Sequence, residues 1–299
     1  FQFRYSVGLT PSELMGIAMA LLYLTGPVSL ILLGVGDLQM GQVSLRKLQS
    51  FYEDLSKESE EGDAPIADDW QELKVEGLGY EYGGSDAGFA LQEVNLTIAR
   101  GEVTFIVGGN GSGKSTLGKC LSFLYVPTSG QIRLGTTAVG LHNLPAAREQ
   151  VSAIFPDFHL FQKLYAERTP EEQARIAVYL KYLELDTKVS VTDDRFSTVE
   201  LSTGQRKRLA LLVMLLENRP LYLFDEWAAD QDPHFKNVFY SVVLPDLKER
   251  GAAVIVVSHD DRYFCHADKV VVMECGRVLD VTRPVVHQAP PPRAAQAAA

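Results

Sequence analysis

The sequence contains little cysteine and no excess of basic residues. Its 299 residues include three cysteines, which form no CxxC pair and no metal-ligand spacing. A disulfide scaffold is therefore excluded. Lys and Arg number 28 against 38 Asp and Glu, which gives a net charge of −10. Because nucleic-acid binders present a basic surface to the phosphate backbone, this balance disfavours that class, and we predict no nucleic-acid partner.

The overall composition is that of a globular protein. Hydrophobic residues make up 46% and charged residues 22% of the chain, which excludes a wholly disordered protein. The length suits one or two domains. The chain begins at Phe1 and shows no signal-peptide pattern, so we expect it to be a fragment of a longer protein.

One segment departs from this average, because residues 14–35 carry no charged side chain. As a helix they would extend about 33 Å, enough to cross a hydrocarbon core of about 30 Å. The alternative is a buried helix of a soluble core. Gly26 and Pro27 lie inside the segment and favour the membrane interpretation, since neighbouring helices in a membrane bundle tolerate such a break.

The residues beside this segment predict its orientation and the structure of the adjoining chain. Arg46 and Lys47 come after the span and only Arg4 precedes it, so the C-terminal side is predicted to be cytoplasmic. Residues 36–59 keep a helical apolar spacing and are predicted to extend the helix. Residues 60–69 are acidic and are predicted to form a linker.

Residues 70–286 have the pattern of an α/β domain. Strands are predicted over 71–82 and 90–98, and short apolar runs suit buried parallel strands at 103–107, 221–224, 253–257 and 270–273. Helical patterns between them cover 170–185 and 205–217. Strands that alternate with helices indicate a mostly parallel sheet. The tail, 287–299, is rich in Pro and Ala and is predicted to be disordered.

A glycine-rich segment directly after the first apolar run matches GxxxxGK[ST] in its strand-to-helix context. Its residues are Gly108, Gly109, Asn110, Gly111, Ser112, Gly113, Lys114, Ser115 and Thr116. Glycines allow backbone N–H groups to form a concave phosphate cradle at the positive end of the next helix. Lys114 is predicted to reach the phosphates, and the Ser115 hydroxyl to bind Mg²⁺. A Gly-rich turn without function is the alternative.

Two adjacent acids follow the second apolar run. Asp225 is predicted to organise Mg²⁺ at the C-terminal end of a strand that neighbours the phosphate loop, and Glu226 to accept a proton from an attacking water. A surface acidic turn is the alternative.

A further motif precedes these acids and consists of Leu201, Ser202, Thr203, Gly204 and Gln205, with Ser202 lying 23 residues before Asp225. Ser202 and Gln205 have capping-box spacing, which predicts the start of a helix. Arg206, Lys207 and Arg208 follow. The motif is interpreted either as a helix cap alone or as a second phosphate-binding helix end.

Taken together, the order and spacing of these motifs resemble an ABC-transporter ATPase domain. The resemblance covers residues 71 to about 283 and implies a P-loop fold with a mixed sheet core, an antiparallel β subdomain and a helical subdomain. It also implies ATP and Mg²⁺ as cofactors. By the same resemblance, Tyr82 stacks on adenine, with Tyr80 the next candidate. Asp230 belongs to the D-loop, and His259 is the switch histidine. The histidines assigned a structural role are His159, His234 and His266.

A narrower resemblance, to exporters of cyclic peptides and siderophore peptides, rests on the strings at 154–161, 224–235 and 258–264. It implies a half-transporter of the bacterial inner membrane, with a cytoplasmic ATPase domain. Such a protein carries six membrane helices, of which 14–35 would be the last, and works as a homodimer on a peptide-like substrate. Export of lipids or drugs is the nearer alternative. A soluble ABC ATPase acting on nucleic acid and a non-catalytic nucleotide-binding scaffold are the others.

The chain departs from the family pattern at two positions. Thr203 stands where most ABC proteins have glycine in the signature motif. Pro156 occupies the place of the Q-loop glutamine, which normally contacts Mg²⁺ and the attacking water. Asp157 follows it and is a candidate for the outer metal position, because a carboxylate binds a hard cation and proline cannot.

Overall fold

The computed structural model describes residues 10–54, 65–82, 90–164 and 170–284. They fall into two units, divided between residues 58 and 59, which are described separately. The seven α-helices of the described residues are α1 (Pro11–Asp54), α2 (Lys114–Leu121), α3 (Leu144–Arg148), α4 (Pro170–Tyr182), α5 (Thr203–Glu217), α6 (Pro233–Val238) and α7 (Leu244–Glu249).

The strands of the described residues all lie in the second unit. They are β1 (Glu72–Glu81), β2 (Ala90–Ala99), β3 (Val103–Gly108), β4 (Ser129–Leu134), β5 (Thr137–Val139), β6 (Val151–Ile154), β7 (Val191–Thr192), β8 (Arg195–Phe196), β9 (Leu221–Asp225), β10 (Ala253–Val257), β11 (Lys269–Glu274) and β12 (Arg277–Thr282). Short 3₁₀ turns occur at Leu141–Asn143, Trp227–Asp230 and Asp261–His266, and a π-helical turn at Phe239–Val243.

The first unit contains one described helix, α1, which is long and apolar enough to cross a membrane. Its most apolar window has a mean hydropathy of 2.0. The helix continues through Pro27, as predicted. The predicted span 14–35 and its extension are one continuous helix up to Asp54, and residues 55–59 lie outside the described residues.

Part of the predicted linker packs onto the second unit. Ile66 is buried in its core, and the carbonyl and carboxylate of Asp68 accept hydrogen bonds from Arg100 and Gln150. These contacts place the start of the folded unit before residue 70. The remaining linker residues, 60–64, and the tail, 287–299, lie outside the described residues.

The central sheet has six strands in the order β12-β11-β3-β10-β9-β6. All neighbouring pairs are parallel except β11 and β12. The antiparallel sheet has the order β2-β1-β4-β5, and β7 and β8 form a small hairpin. The predicted α/β class with a mixed sheet and an antiparallel sheet is therefore confirmed.

The central strands are buried on both faces, which explains their continuous apolar runs. Phe105 packs into the cluster that contains α4, α5 and α7, whereas Ile106 packs into the cluster that contains α2 and α3. Because the strands are parallel, the carboxyl ends of β3, β6, β9 and β10 meet at one edge of the sheet. This edge brings the predicted functional loops together.

The order of the strands was not predicted from the sequence. β10 lies between β9, which ends in Asp225, and β3, which leads into the phosphate loop. Val257 of β10 pairs with Asp225 on one side and Ile106 on the other. The order of strands in a sheet follows from tertiary packing, which the spacing of motifs along the chain does not specify.

Candidate active site

The glycine-rich loop after β3 has backbone angles that only glycine tolerates. Gly108 has a φ of +150°, and a Cβ there would lie 2.2 Å from the carbonyl oxygen of Met273. Gly113, with φ +99°, precedes α2, whose N-terminus has no side-chain cap. The loop therefore leaves a helix N-terminus available to an anion. At its tip, Gly109, Asn110 and Gly111 are exposed.

Lys114, the first residue of α2, lies inside this loop. Its side chain is buried, and Nζ donates hydrogen bonds to the carbonyl oxygens of Gly108 at 3.0 Å and Gly109 at 2.9 Å. Burial lowers the pKa of the ammonium group, and the nearby charges of Glu226 and Asp225 partly oppose this effect. The charge is thus held at the loop by backbone oxygens that a phosphate could replace.

Asp225 ends β9 as a buried carboxylate. It is 1% exposed, and neither carboxylate oxygen has a hydrogen-bond partner of suitable geometry among the described residues. Burial raises its pKa, while the nearby Ser115 hydroxyl and the Lys114 ammonium oppose the rise. Because a buried unpaired carboxylate is costly, these oxygens suit a hard divalent cation. Asp225 and Ser115 therefore have the chemistry that a Mg²⁺ site requires.

Glu226 and His259, two of the residues predicted to belong to the site, contact each other. The imidazole Nε2 of His259 lies 2.9 Å from Oε1 of Glu226. Glu226 has a left-handed backbone, with φ +51°, and its N–H donates to the carbonyl oxygen of Val257. A left-handed glutamate costs roughly 1–2 kcal/mol, and such strain is concentrated at functional sites.

The capping box predicted at Ser202 is confirmed. The Gln205 N–H donates to the Ser202 hydroxyl at 3.4 Å, and the Ser202 N–H donates to the Gln205 side-chain oxygen at 3.2 Å. Leu201 packs against the core, while Ser202 and Thr203 are exposed at the end of α5. The exposed end is accessible to a ligand or a partner chain.

Gly204 connects this helix end to the loop after β9. Its carbonyl oxygen accepts a hydrogen bond from the Gln231 side chain at 3.1 Å, and an added Cβ would lie 3.2 Å from the Asp230 carbonyl oxygen. Asp230 is itself exposed and forms an ion pair with Lys207. The absence of a side chain at position 204 therefore permits α5 to approach the loop after β9 closely.

Tyr82 lies beside the helix that follows the phosphate loop. Its hydroxyl is 2.9 Å from the hydroxyl of Thr116, and its ring meets Tyr80 edge to face at 5.2 Å. Tyr80 instead stacks on Tyr125, with ring centroids 4.9 Å apart. Of the two candidates for adenine stacking, Tyr82 is the more exposed.

The loop after β6 carries Pro156 and Asp157, both exposed. Ile154, at the end of β6, pairs with Phe224 of β9, so the loop begins beside Asp225.

In the phosphate loop after β3, the predicted residue Ser112 is buried.

The three histidines that were assigned a structural role contact other groups. His159 meets Phe161 edge to face, His234 lies 3.5 Å from a carboxylate oxygen of Glu184, and burial lowers the pKa of His266.

Lys207 was not predicted as a site residue, although the sequence contained a signal. It lies four residues before Leu211 and seven before Met214, which places it on the buried face of α5. In the structure its ammonium group contacts the carbonyl oxygen of Glu226.

Comparison with known proteins agrees with this geometry. A family model described as ABC transporter matches residues 91–229. The ATP-binding protein SyrD of Pseudomonas syringae pv. syringae is 39% identical over 277 residues, which are 87% of this chain and 49% of SyrD. The arginine transport ATP-binding protein ArtM of Bacillus subtilis is 31% identical over 224 residues, which are 71% of this chain and 91% of ArtM.

A solved bacterial Atm1-family ABC exporter with ATP bound has a TM-score of 0.68 and 19% identity, and the match covers 82% of this chain and 44% of that chain. At this identity the match shows the fold. The chain spans about half the length of SyrD. The phosphate loop, the paired acids and the match across nearly all of ArtM show that this chain belongs to the ABC transporter family and carries its ATPase domain.

Proposed function

We propose that this chain is the ATP-hydrolysing part of an exporter that moves a peptide-like substrate, such as a cyclic peptide or siderophore. The observation that carries the catalytic part is the Glu226–His259 contact next to Asp225, whose buried carboxylate oxygens have no hydrogen bond of suitable geometry among the described residues. The resemblance of residues 154–161, 224–235 and 258–264 to peptide exporters supports the exporter part. The match to SyrD covers 87% of the chain, which is more than residues 60–299 contain, so the aligned region extends into α1.

The residues of the site fit ATP hydrolysis. Glu226 accepts the proton of the attacking water while the new bond to the γ-phosphorus forms and the bond to the ADP oxygen breaks. His259 orients the Glu226 carboxylate, and Lys114 balances the charge of the phosphates. Asp225 and Ser115 would hold Mg²⁺, which when bound supplies further positive charge next to the phosphates.

We propose a homodimer in which Ser202–Gln205 of one chain and the phosphate loop of the other enclose each ATP. The exposed end of α5 supports this arrangement, because Ser202 and Thr203 lie at the surface of the single chain, where a second chain can reach them. The dimer would lie in the bacterial inner membrane through α1, with the ATPase domain in the cytoplasm. The length and apolar surface of α1 support this location and disfavour a soluble ATPase.

Complementation between two inactive variants tests both the activity and the dimer. Lys114→Ala should inactivate the phosphate loop, and a bulky Ser202→Phe should block the exposed end of α5. Each homodimer then has two defective sites. A mixed dimer places both changes in one site and leaves the other intact, so mixing the variants should restore ATPase activity. No activity in the mixture, with an active wild type, contradicts the shared sites, and an inactive wild type contradicts the ATPase assignment.

A further inference from the structure

The ammonium group of Lys207 is buried beside the turn that begins with Glu226, and it takes no direct part in the proposed hydrolysis. The Lys207 side chain is 4% exposed. Its Nζ donates a hydrogen bond of 2.9 Å to the carbonyl oxygen of Glu226 and lies 2.7 Å from Oδ2 of Asp230. Lysine is rarely buried unless it is paired, and here one carboxylate balances its charge.

Further hydrogen bonds connect the same helix to the same turn. The Trp227 indole N–H donates to the backbone carbonyl oxygen of Lys207 at 2.9 Å, and the Gln231 side chain donates to that of Gly204. Helix α5 is therefore attached to the segment 226–231 at Gly204 and at Lys207, within its first turns. Lys207 is the member of this set that contacts the proposed base directly.

The backbone of Glu226 needs such support because it is left-handed. Its N–H is fixed by the carbonyl oxygen of Val257, and its carbonyl oxygen accepts from the Ala229 N–H at 3.2 Å as well as from Lys207. The ammonium group is the only charged donor to this carbonyl among the described residues, and charge-assisted hydrogen bonds are the stronger kind. Both peptide groups of Glu226 are thus held, which fixes the direction of its side chain toward His259.

We propose that Lys207 is a positioning residue for the catalytic glutamate. Its ammonium group fixes the carbonyl of Glu226, so the carboxylate stays aimed at the attacking water, and Asp230 balances the buried charge. This role rests on the proposed ATPase activity of Glu226. Because Lys207 acts through the base and contacts no part of the phosphate loop that the structure describes, its loss lowers kcat and leaves the KM for ATP unchanged.

A second buried lysine provides a matched control. Lys269 also donates to one backbone carbonyl oxygen, that of Thr97, and to one carboxylate, that of Glu102. Its side chain is 9% exposed. Lys269 begins β11, so it lies at the amino end of the parallel strands, whereas the active site lies at their carboxyl end. Lys269→Met removes a similar ion pair without touching the site.

The experiment measures steady-state ATP hydrolysis and Tm for the full chain and its variants. Lys207→Met should lower kcat about 10- to 100-fold, with the KM for ATP within about twofold of wild type. Lys269→Met should lower Tm by about as much as Lys207→Met does, and it should keep the wild-type kcat per folded molecule. Asp230→Asn leaves the bond to the Glu226 carbonyl in place and should lower kcat less than Lys207→Met does.

A double variant shows whether Lys207 acts through Glu226. In a Glu226→Gln background, Lys207→Met should add no further loss, because the group that it positions is already inactive. An equal loss in both backgrounds overturns the proposal, as does a Lys207→Met variant with wild-type kcat per folded molecule. Inactivity of the wild-type chain is a separate result, which overturns the proposed ATPase activity and this role with it.

Discussion

The His259 imidazole lies 2.9 Å from the Glu226 carboxylate although the two residues are 33 positions apart in the chain. Their proximity follows from the sheet, because Glu226 follows β9, His259 comes shortly after β10, and these parallel strands are neighbours. The Ser258 N–H donates to the carbonyl oxygen of Ile106 in β3, which extends the same edge toward the phosphate loop. The sheet thus assembles the base, its partner and the loop from three segments.

Glu226→Gln should retain ATP binding and lose most hydrolysis. The amide cannot accept the proton of the attacking water, and loss of a general base lowers kcat by about 10²- to 10⁴-fold. Nucleotide binding and turnover are measured on the same preparation, together with dimer formation in ATP, which the variant should show. Glu93→Gln is the matched control, because Glu93 is also left-handed but lies in β2. Wild-type turnover in Glu226→Gln would falsify the assignment of the base.

Lys114→Ala should weaken nucleotide binding rather than the chemical step alone. Lys114 donates to two carbonyl oxygens of the loop, and a charge-assisted contact to phosphate contributes about 1.5–3 kcal/mol, or about 10- to 100-fold in affinity. Equilibrium ATP binding measures the effect. Lys74→Ala removes an exposed lysine on β1 and should bind ATP normally. An unchanged affinity in Lys114→Ala contradicts the phosphate-loop assignment.

Asp225→Asn should stabilise the nucleotide-free chain at neutral pH while removing the metal ligand. The wild-type carboxylate is buried and has no hydrogen bond of suitable geometry among the described residues, so removing its charge should raise the free energy of unfolding by about 1–3 kcal/mol. Hydrolysis should fall despite the higher stability. Urea unfolding of both proteins without nucleotide, together with ATPase measurements, checks this prediction. A lower free energy of unfolding in Asp225→Asn would show that the carboxylate has a stabilising partner in the free protein.

The direction of the Asp225 pKa shift predicts how the difference in stability between Asp225→Asn and the wild type depends on pH. Because burial raises the pKa of Asp225 in the folded state, the folded chain binds the proton more tightly than the unfolded chain does. The free energy that the buried charge costs the folded state is absent below the pKa of the aspartate in the unfolded chain, about 3.9. It grows as the pH rises through the pKa of Asp225 in the folded chain. The advantage of Asp225→Asn should therefore shrink as the pH is lowered toward 4. An advantage that grows on acidification contradicts the direction of the pKa shift.

Much of the site follows from local sequence chemistry, and the remainder depends on packing. Spacing alone predicted the capping box at Ser202 and the strand before Asp225, because a helix cap and a buried apolar strand are local structures. The order of β3, β10 and β9 in the sheet was not predicted. The role of Lys207 was missed because its partners, Glu226 and Asp230, become neighbours only when α5 packs beside the turn after β9.

The predicted membrane orientation can be tested by cysteine labelling of intact cells. An impermeant reagent should label a cysteine placed at Ser6 and should not label one placed at Glu58, because Arg46 and Lys47 favour a cytoplasmic C-terminal side. The exposed Cys265 and Cys275 are first replaced, and permeabilised cells confirm that both new positions react. The opposite pattern places the ATPase domain outside the cell, where ATP is absent, and contradicts the proposed topology.

Variants in the loop after β6 test whether Asp157 takes over the metal contact that glutamine makes in related proteins. Asp157 and Pro156 are both exposed at the edge that holds Asp225. Only the aspartate can bind a hard cation, so Asp157→Ala should lower Mg²⁺-dependent hydrolysis more than Pro156→Ala does. Raising the Mg²⁺ concentration should recover part of the loss in Asp157→Ala and none in Glu226→Gln, because only the first defect is one of metal affinity. If both loop variants hydrolyse ATP like wild type, Asp225 and Ser115 suffice for the metal, and Asp157 has no ligand role.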